Sequence, residues 1–350
     1  MAQHLSEMAR PGLAPATAAA GETPRVSVVI SVHNRALMLL DCLKGLAAQS
    51  LGRDAFEVVI VDNCSTEDLS PTFAQGRALG LDLHVARTAQ DHGPAPARNL
   101  GVQMARGAVI AFTDSDCRPT PHWLAHALPR FDDPAIAFVG GPVLPKPEQT
   151  FTLTSRATFV TQVEHPSFPT ANLLMRRDVF LAHGGFDTTL SFSDPFGRAM
   201  ECADTDLAWR ILKAGHRHAF VPAAVMEHEV EDQSIWMWMI EPSRLFLLPA
   251  LIRRHPELRA KLLTWNLFFY APAASLYLVV PFAVVAAWTL PWLLVLLPLA
   301  LLTRSAVRMR SLNPVVLIRQ SLRVLAHLPR NMMVNAALLY GSMRFRCPVL

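Results

Sequence analysis

The chain of 350 residues is 51% hydrophobic and 17% charged, with a formal net charge of +4, enough for one large domain and an appendage. Residues 253–350 carry 12 Lys/Arg and one acid, Glu257, whereas residues 1–252 are acidic on balance. The positive charge therefore sits at one end, beside the most apolar stretch, which excludes nucleic acid as a partner and points to a membrane.

Residues 1–24, rich in Ala, Pro and Gly, read as a disordered leader and lack the basic-then-apolar pattern of a signal peptide, which leaves the main domain in the cytoplasm. The β-branched runs 26–31 and 56–61 predict strands with a helix at 37–49 between them. Each strand ends in polar residues: Ser31, His33 and Asn34 after the first, Asp62 and Asn63 after the second. That is a βαβ unit, and ligands of open parallel sheets bind at such strand ends. A third strand at 83–86 leads to a Gly/Pro-rich turn at 91–96 and a helix at 97–104. A fourth, 108–113, runs into Asp114-Ser115-Asp116. Farther on, a strand at 138–143, a proline-broken loop at 142–149, a strand at 172–175 and a helix at 177–183 are expected. A helix at 204–214 has Gly215 as its C-cap.

No charged residue occurs from 262 to 303. A spanning helix needs about 20 apolar residues, so this run suits two crossings, with a turn at 289–292 around Pro291. Arg253, Arg254, Arg259 and Lys261 precede it, and Arg304, Arg308 and Arg310 follow. Basic flanks on both sides place both ends in the cytoplasm. The alternative is a buried helical hairpin in a soluble core. Residues 315–346 fit amphipathic helices on a membrane surface. The expected organisation is a leader at 1–24, a catalytic domain at 25–235 and a linker with interfacial helices at 236–261. Two transmembrane helices at 262–303 and a basic cytoplasmic tail at 304–350 complete it.

The five cysteines are odd in number and form no CxxC pair, which argues against a disulfide framework or structural zinc and suits a reducing compartment. Asp114 and Asp116 carry the strongest chemical pattern. Two apart at a strand end, they are expected to point to one side and hold a hard divalent cation, manganese or magnesium, that neutralises a diphosphate. The first strand lacks a following Gly-x-Gly-x-x-Gly, which disfavours a dinucleotide-dependent oxidoreductase.

Six short motifs occur in order: VSVVISVHNR at 26–35, VVIVDNCST at 58–66, ARNLG at 97–101, VIAFTDSD at 109–116, GGFD at 184–187 and DTDLAWR at 204–210. Together they resemble family 2 glycosyltransferases over about residues 25–230. The resemblance implies an α/β GT-A nucleotide-diphospho-sugar transferase fold (a Rossmann-like mixed sheet), joined here to the C-terminal transmembrane helical hairpin. It implies nucleotide contacts from Ser31 through Asn34 and Arg35, and base contacts from Asp62 and Asn63, although Asp62 also suits a turn-forming role. Arg98 resembles a residue beside the diphosphate, or is a helix-surface arginine. Asp116 matches the metal-binding acid, and Asp114 lies near the ribose or metal. His228 resembles a histidine that completes the metal site in some members, or is structural. Asp204 matches the catalytic base, with Asp206 the alternative and a helix N-cap its other reading. The frequent Glu-Asp pair is broken, since residue 203 is Ala, and Glu201 lies out of register.

The function implied is metal-dependent, inverting transfer from a nucleotide-sugar donor to a lipid-linked or cell-envelope glycan acceptor at a membrane. No Gln-x-x-Arg-Trp motif is present, so one or a few sugars are added. The alternative is a catalytically inactive membrane scaffold that keeps the fold.

Overall fold

The computed structural model describes residues 23–157 and 160–350, so the expected leader lies almost wholly outside the described residues. Two compact units emerge: the described residues up to Phe192 with Glu201–Asp232, and Ser193–Met200 with Gln233–Leu350.

The first unit is built on β1 (Val26–Val32), β2 (Phe56–Asp62), β3 (Leu83–Arg87), β4 (Val109–Asp114), β5 (Cys117–Pro119), β6 (Ile136–Gly140), β7 (Val143–Pro145), β8 (Ser155–Ala157) and β9 (Leu173–Arg176). Ser191–Ser193 and Ala199–Glu201 pair as β10 and β11, followed by β12 (Arg217–Phe220), β13 (Met226–His228) and β14 (Val230–Asp232). Seven strands form the main sheet in the order β12-β6-β9-β4-β1-β2-β3. Its strands are parallel except β9, which runs antiparallel to β4 and β6. Val28, Val29, Ile30, Val58, Val59, Ile60 and Val61 are fully buried, which explains why β1 and β2 read as unbroken apolar runs rather than alternating ones.

The helix Ala36–Ala47 buries Leu39, Leu43 and Leu46, each stabilising by about 1.5–3 kcal/mol. The helix Pro94–Met104 lies against β1 at Gly101, where a Cβ would stand 2.6 Å from Val29 Cγ1. The register pairs Ser31 with Asp114 and Val32 with Asp62, so three strands end level on one edge.

The strand expected at 138–143 divides at Gly141-Pro142 into β6 and β7, because proline cannot donate to a ladder. A helix at Ser70–Ala78 escaped the sequence reading; its apolar spacing is weak and Pro71 opens it. The helix anticipated at 204–214 spans Ala203–Lys213, and Gly215 follows with φ 91.

The second unit is helical. Ile235–Arg254, Ala271–Thr289 and Pro291–Met309 are each long and apolar enough to cross a membrane. The first is more than half buried in its apolar window, against 11% and 6% for the others, so the latter two leave most of their apolar residues exposed. Leu278, Val280, Val285, Trp288 and Leu299 are among their exposed side chains. The uncharged run is not helical from its start. Trp265 and Asn266 are left-handed (φ 51 and 57), Arg259 Nη1 donates to the Asn266 carbonyl at 2.7 Å, and helix begins only at Ala271. The break at Leu290-Pro291 falls inside the expected turn.

Candidate active site

The acidic pair is assembled differently from the sequence expectation. β4 ends at Asp114, and Ser115-Asp116 form a turn into β5, so strand alternation does not align the carboxylates. The turn instead carries Asp116 back toward the same point. Carboxylate, imidazole and thiol atoms of Asp114, Asp116, Cys117 and His228 all lie within 4.8 Å of one another. His228 arrives through sheet register: β13 pairs antiparallel with β5, setting His228 opposite Cys117. Its Nδ1 lies 2.8 Å from the Glu229 carbonyl oxygen. A carbonyl only accepts, so Nδ1 carries a proton, and Nε2 points to the acids, 3.5 Å from Asp116 Oδ1. Lys146 braces this strand: its N–H donates to the His228 carbonyl, and its Nζ donates at 2.6 Å to Asp41 and to Glu229. Burial and the two neighbouring acids hold the Cys117 thiol well above its usual pKa, so it is a neutral member of the cluster.

Both acids already face arginines. Arg98 Nη2 donates to Asp114 Oδ1 at 2.6 Å. Arg35 bridges Asp116 and Glu231, the latter at 2.9 Å. Asn34 and Arg35 are consecutive left-handed residues (φ 60 and 68), and this bend turns Arg35 back over the strand ends. Asn34 is occupied elsewhere: its Oδ1 accepts from the Thr66 and Glu67 N–H groups at 2.9 and 3.0 Å, tying two loops together.

Asp62 is buried, and its Oδ1 accepts from Ser65 N–H at 2.9 Å, the turn-forming arrangement; Arg87 stands 3.3 Å from Oδ2. Asn63 is buried and bonded to Asp91 and Thr88. Ser31, in register with Asp114, is half-buried on the same edge. The ARNLG and GGFD motifs prove to be one device. Asn99 donates to the Phe186 carbonyl at 2.9 Å and accepts from Phe186 N–H at 3.0 Å.

The two acids of DTD have different surroundings. Asp206 is fully buried and accepts from Arg210 Nε at 2.8 Å; Arg210 in turn donates to the His183 and Gly185 carbonyls. Asp204 is half-buried, its Oδ1 accepting from Thr205 N–H at 2.7 Å. Cys202, not Asp204, is the helix N-cap, because the helix begins one residue early; Asp204 sits in the first turn, where the dipole favours an acid. Burial raises the Asp204 pKa, opposed by the Thr205 N–H, Arg98 and Thr170, with Asp114 adding to the rise. Thr205 Oγ1 donates to the Ser167 carbonyl at 2.7 Å and Trp209 Nε1 to that of Pro166 at 2.9 Å, which fixes this helix start.

Sequence reasoning missed Glu231 and passed over Glu201. Glu231 lies three residues after His228, in a short edge strand without a motif of its own. Glu201 Oε2 accepts from Ala95 N–H at 3.1 Å.

An α/β domain with a mainly parallel sheet and an acid pair at its strand ends defines the class. Residues 27–189 match the model of Glycosyl transferase family 2, which marks this stretch as a family 2 glycosyltransferase domain. It is 29% identical over 174 residues to glycosyltransferase AglE of Haloferax volcanii, covering 48% of this chain and 57% of that protein. It is also 29% identical over 224 residues to the pre-mycofactocin glycosyltransferase of Mycobacterium tuberculosis, covering 59% and 43%. The chain thus spans about half the length of these curated relatives. Among solved structures, a mannosyltransferase from Pyrobaculum calidifontis in complex with GDP-Man and Mn2+ aligns with a TM-score of 0.62 at 22% identity, covering 88% of this chain and 87% of that one. That likeness is one of fold, and the fold is GT-A.

Proposed function

We propose that this chain is a metal-dependent, inverting, non-processive glycosyltransferase that moves a sugar from a nucleotide-sugar donor to a lipid-linked or envelope glycan acceptor at a membrane. The observation that carries this reading is the convergence of Asp114, Asp116 and His228 at the level ends of β1, β2 and β4. Two carboxylates and an imidazole Nε2 turned toward them fit a divalent cation such as manganese or magnesium. Bound there, the cation would supply charge neutralisation for the diphosphate leaving group.

The protein's own groups do the rest. Arg35 and Arg98, already at this edge, supply positive charge to the diphosphate. Asp62, Asn63 and Ser31 border the place for the nucleoside. Asp204 takes the proton from the acceptor hydroxyl as that oxygen bonds to the anomeric carbon. The bond from that carbon to the diphosphate breaks, and its electron pair leaves with the nucleoside diphosphate. A carboxylate with a raised pKa is a better proton acceptor than an exposed one. The exposed apolar helices 271–289 and 291–309 support a membrane anchor, and the basic residues on either side support a cytoplasmic catalytic unit.

A thermal-shift screen of UDP-, GDP- and dTDP-sugars with and without manganese tests the reading. One donor class should raise the unfolding midpoint, and more so with metal. No shift with any of them would overturn the assignment.

A further inference from the structure

Glu201 has an unused bonding capacity beside this machinery. Its Oε2 is committed to Ala95 N–H, but Oε1 is buried with no hydrogen-bond partner among the described residues. Gly93 makes this approach possible: its φ is 85, and a Cβ there would collide with Oε1. Arg98 stands on the same helix, three residues beyond Ala95 and so on the same face. Its Nη2 holds Asp114, while its Nε–H is likewise buried and unpartnered among the described residues. A buried acceptor and a buried donor left open together are uncommon, since nearly all such groups are satisfied in folded proteins. A sugar hydroxyl both donates and accepts. Burial pushes the Glu201 carboxyl up to about 7, opposed by Arg98 and the Ala95 N–H, with Asp204 and Asp91 adding to the rise. Asp204, Asp114 and Arg98 interact electrostatically as well. Glu201 lies three residues before Asp204 and is bonded to the helix whose Arg98 reaches Asp114, which ties it to both the acid pair, where the diphosphate would lie, and Asp204, where the acceptor would lie.

We propose that Glu201 is a specificity-determining residue for the donor, its free Oε1 accepting a hydroxyl of the transferred sugar while Arg98 Nε–H donates to an oxygen of the same sugar. The inference rests on the nucleotide-sugar reading above, and deepens it: the sugar, not the nucleotide, is what Glu201 recognises.

The test is calorimetric binding to the full-length protein in detergent with manganese. UDP-glucose, UDP-N-acetylglucosamine and GDP-mannose are each compared with UDP or GDP. For the sugar nucleotide that binds the wild type, Glu201→Ala should weaken affinity about tenfold or more, since a charged hydrogen bond is lost, while nucleoside diphosphate affinity stays unchanged. Glu201→Gln, whose single oxygen keeps the Ala95 bond and leaves an NH2 where Oε1 stood, should also lose the sugar's contribution, and it covers the case in which the alanine variant does not fold. The affinity added by the sugar should also grow from pH 6 to 8 in the wild type and stay flat in Glu201→Gln. Equal weakening of sugar nucleotide and nucleoside diphosphate would mean that Glu201 only braces the helix, and an unchanged ratio in both variants would likewise overturn the proposal while leaving the transferase reading intact. Absence of any sugar-nucleotide binding to the wild type would overturn both.

Discussion

Asp206 and Arg210 form an ion pair across one helical turn, 2.8 Å apart, with the carboxylate fully buried. Asp204, two residues earlier, has no such partner among the described ion pairs and is half-buried rather than fully buried. The helix therefore holds one acid of the pair in an ion pair and leaves the other, the proposed base, outside one. Asp204→Asn should fold normally, bind donor with wild-type affinity and lose about 10²–10⁴-fold in transfer rate. Asp206→Ala should instead lose about 3–5 kcal/mol of stability by stranding the Arg210 charge. Unfolding curves and transfer rates for the two variants check this; near-normal turnover in Asp204→Asn would remove it as the base.

Asp116→Asn should abolish the manganese-dependent part of donor binding while leaving the fold intact. His228→Ala should weaken metal binding, since Nε2 faces Asp116 Oδ1. Manganese titration followed by paramagnetic resonance measures both without any need for turnover. Unchanged manganese affinity in Asp116→Asn would move the metal elsewhere.

Glu201 has a consequence for stability as well as for specificity. A carboxyl with its folded pKa raised to about 7 from a usual 4.5 binds more protons folded than unfolded between those values. Folding free energy therefore falls as pH rises through that window. Glu201→Gln removes the penalty, so it should be more stable than wild type at pH 8 by roughly 1–3 kcal/mol and close to it at pH 4.5. Denaturant unfolding at the two pH values reads this directly; a difference independent of pH would show that Glu201 does not titrate in this range.

Two crossings at 271–289 and 291–309 predict that reporters fused after Thr23 and after Leu350 both report a cytoplasmic location. An external C-terminus, or full solubility without detergent, would refute the pair of spans.

The core strands were legible because β1, β2 and β4 are short, β-branched and end in polar residues, a pattern that survives any packing. Asp114 and Asp116 were legible as a pair for a reason that turned out incomplete: a turn, not strand alternation, brings them together. His228 could be placed only by resemblance, because its proximity depends on β13 pairing with β5 across more than a hundred residues. Glu201 and Glu231 were opaque for the same reason. Their neighbours, Ala95 and Arg35, are distant in sequence, and periodicity carries no information about such contacts. Motif residues also proved to have structural duties, as with Asn34 and Asn99, whose side chains bond loop backbone.

The arginines facing Asp114 and Asp116 bear on how the protein rests between turnovers. Adjacent carboxylates normally repel, and many metal sites lose their shape when the ion is withdrawn. Here Arg98 holds one acid and Arg35 bridges the other to Glu231, so the counter-charge is internal. Chelation should cost donor binding yet leave the melting temperature nearly unchanged, and a preparation stripped of metal should recover by simple readdition. The site is thus self-buffered in charge, and on the proposed reading the departure of a metal–nucleotide product would leave behind an intact scaffold rather than a collapsed one.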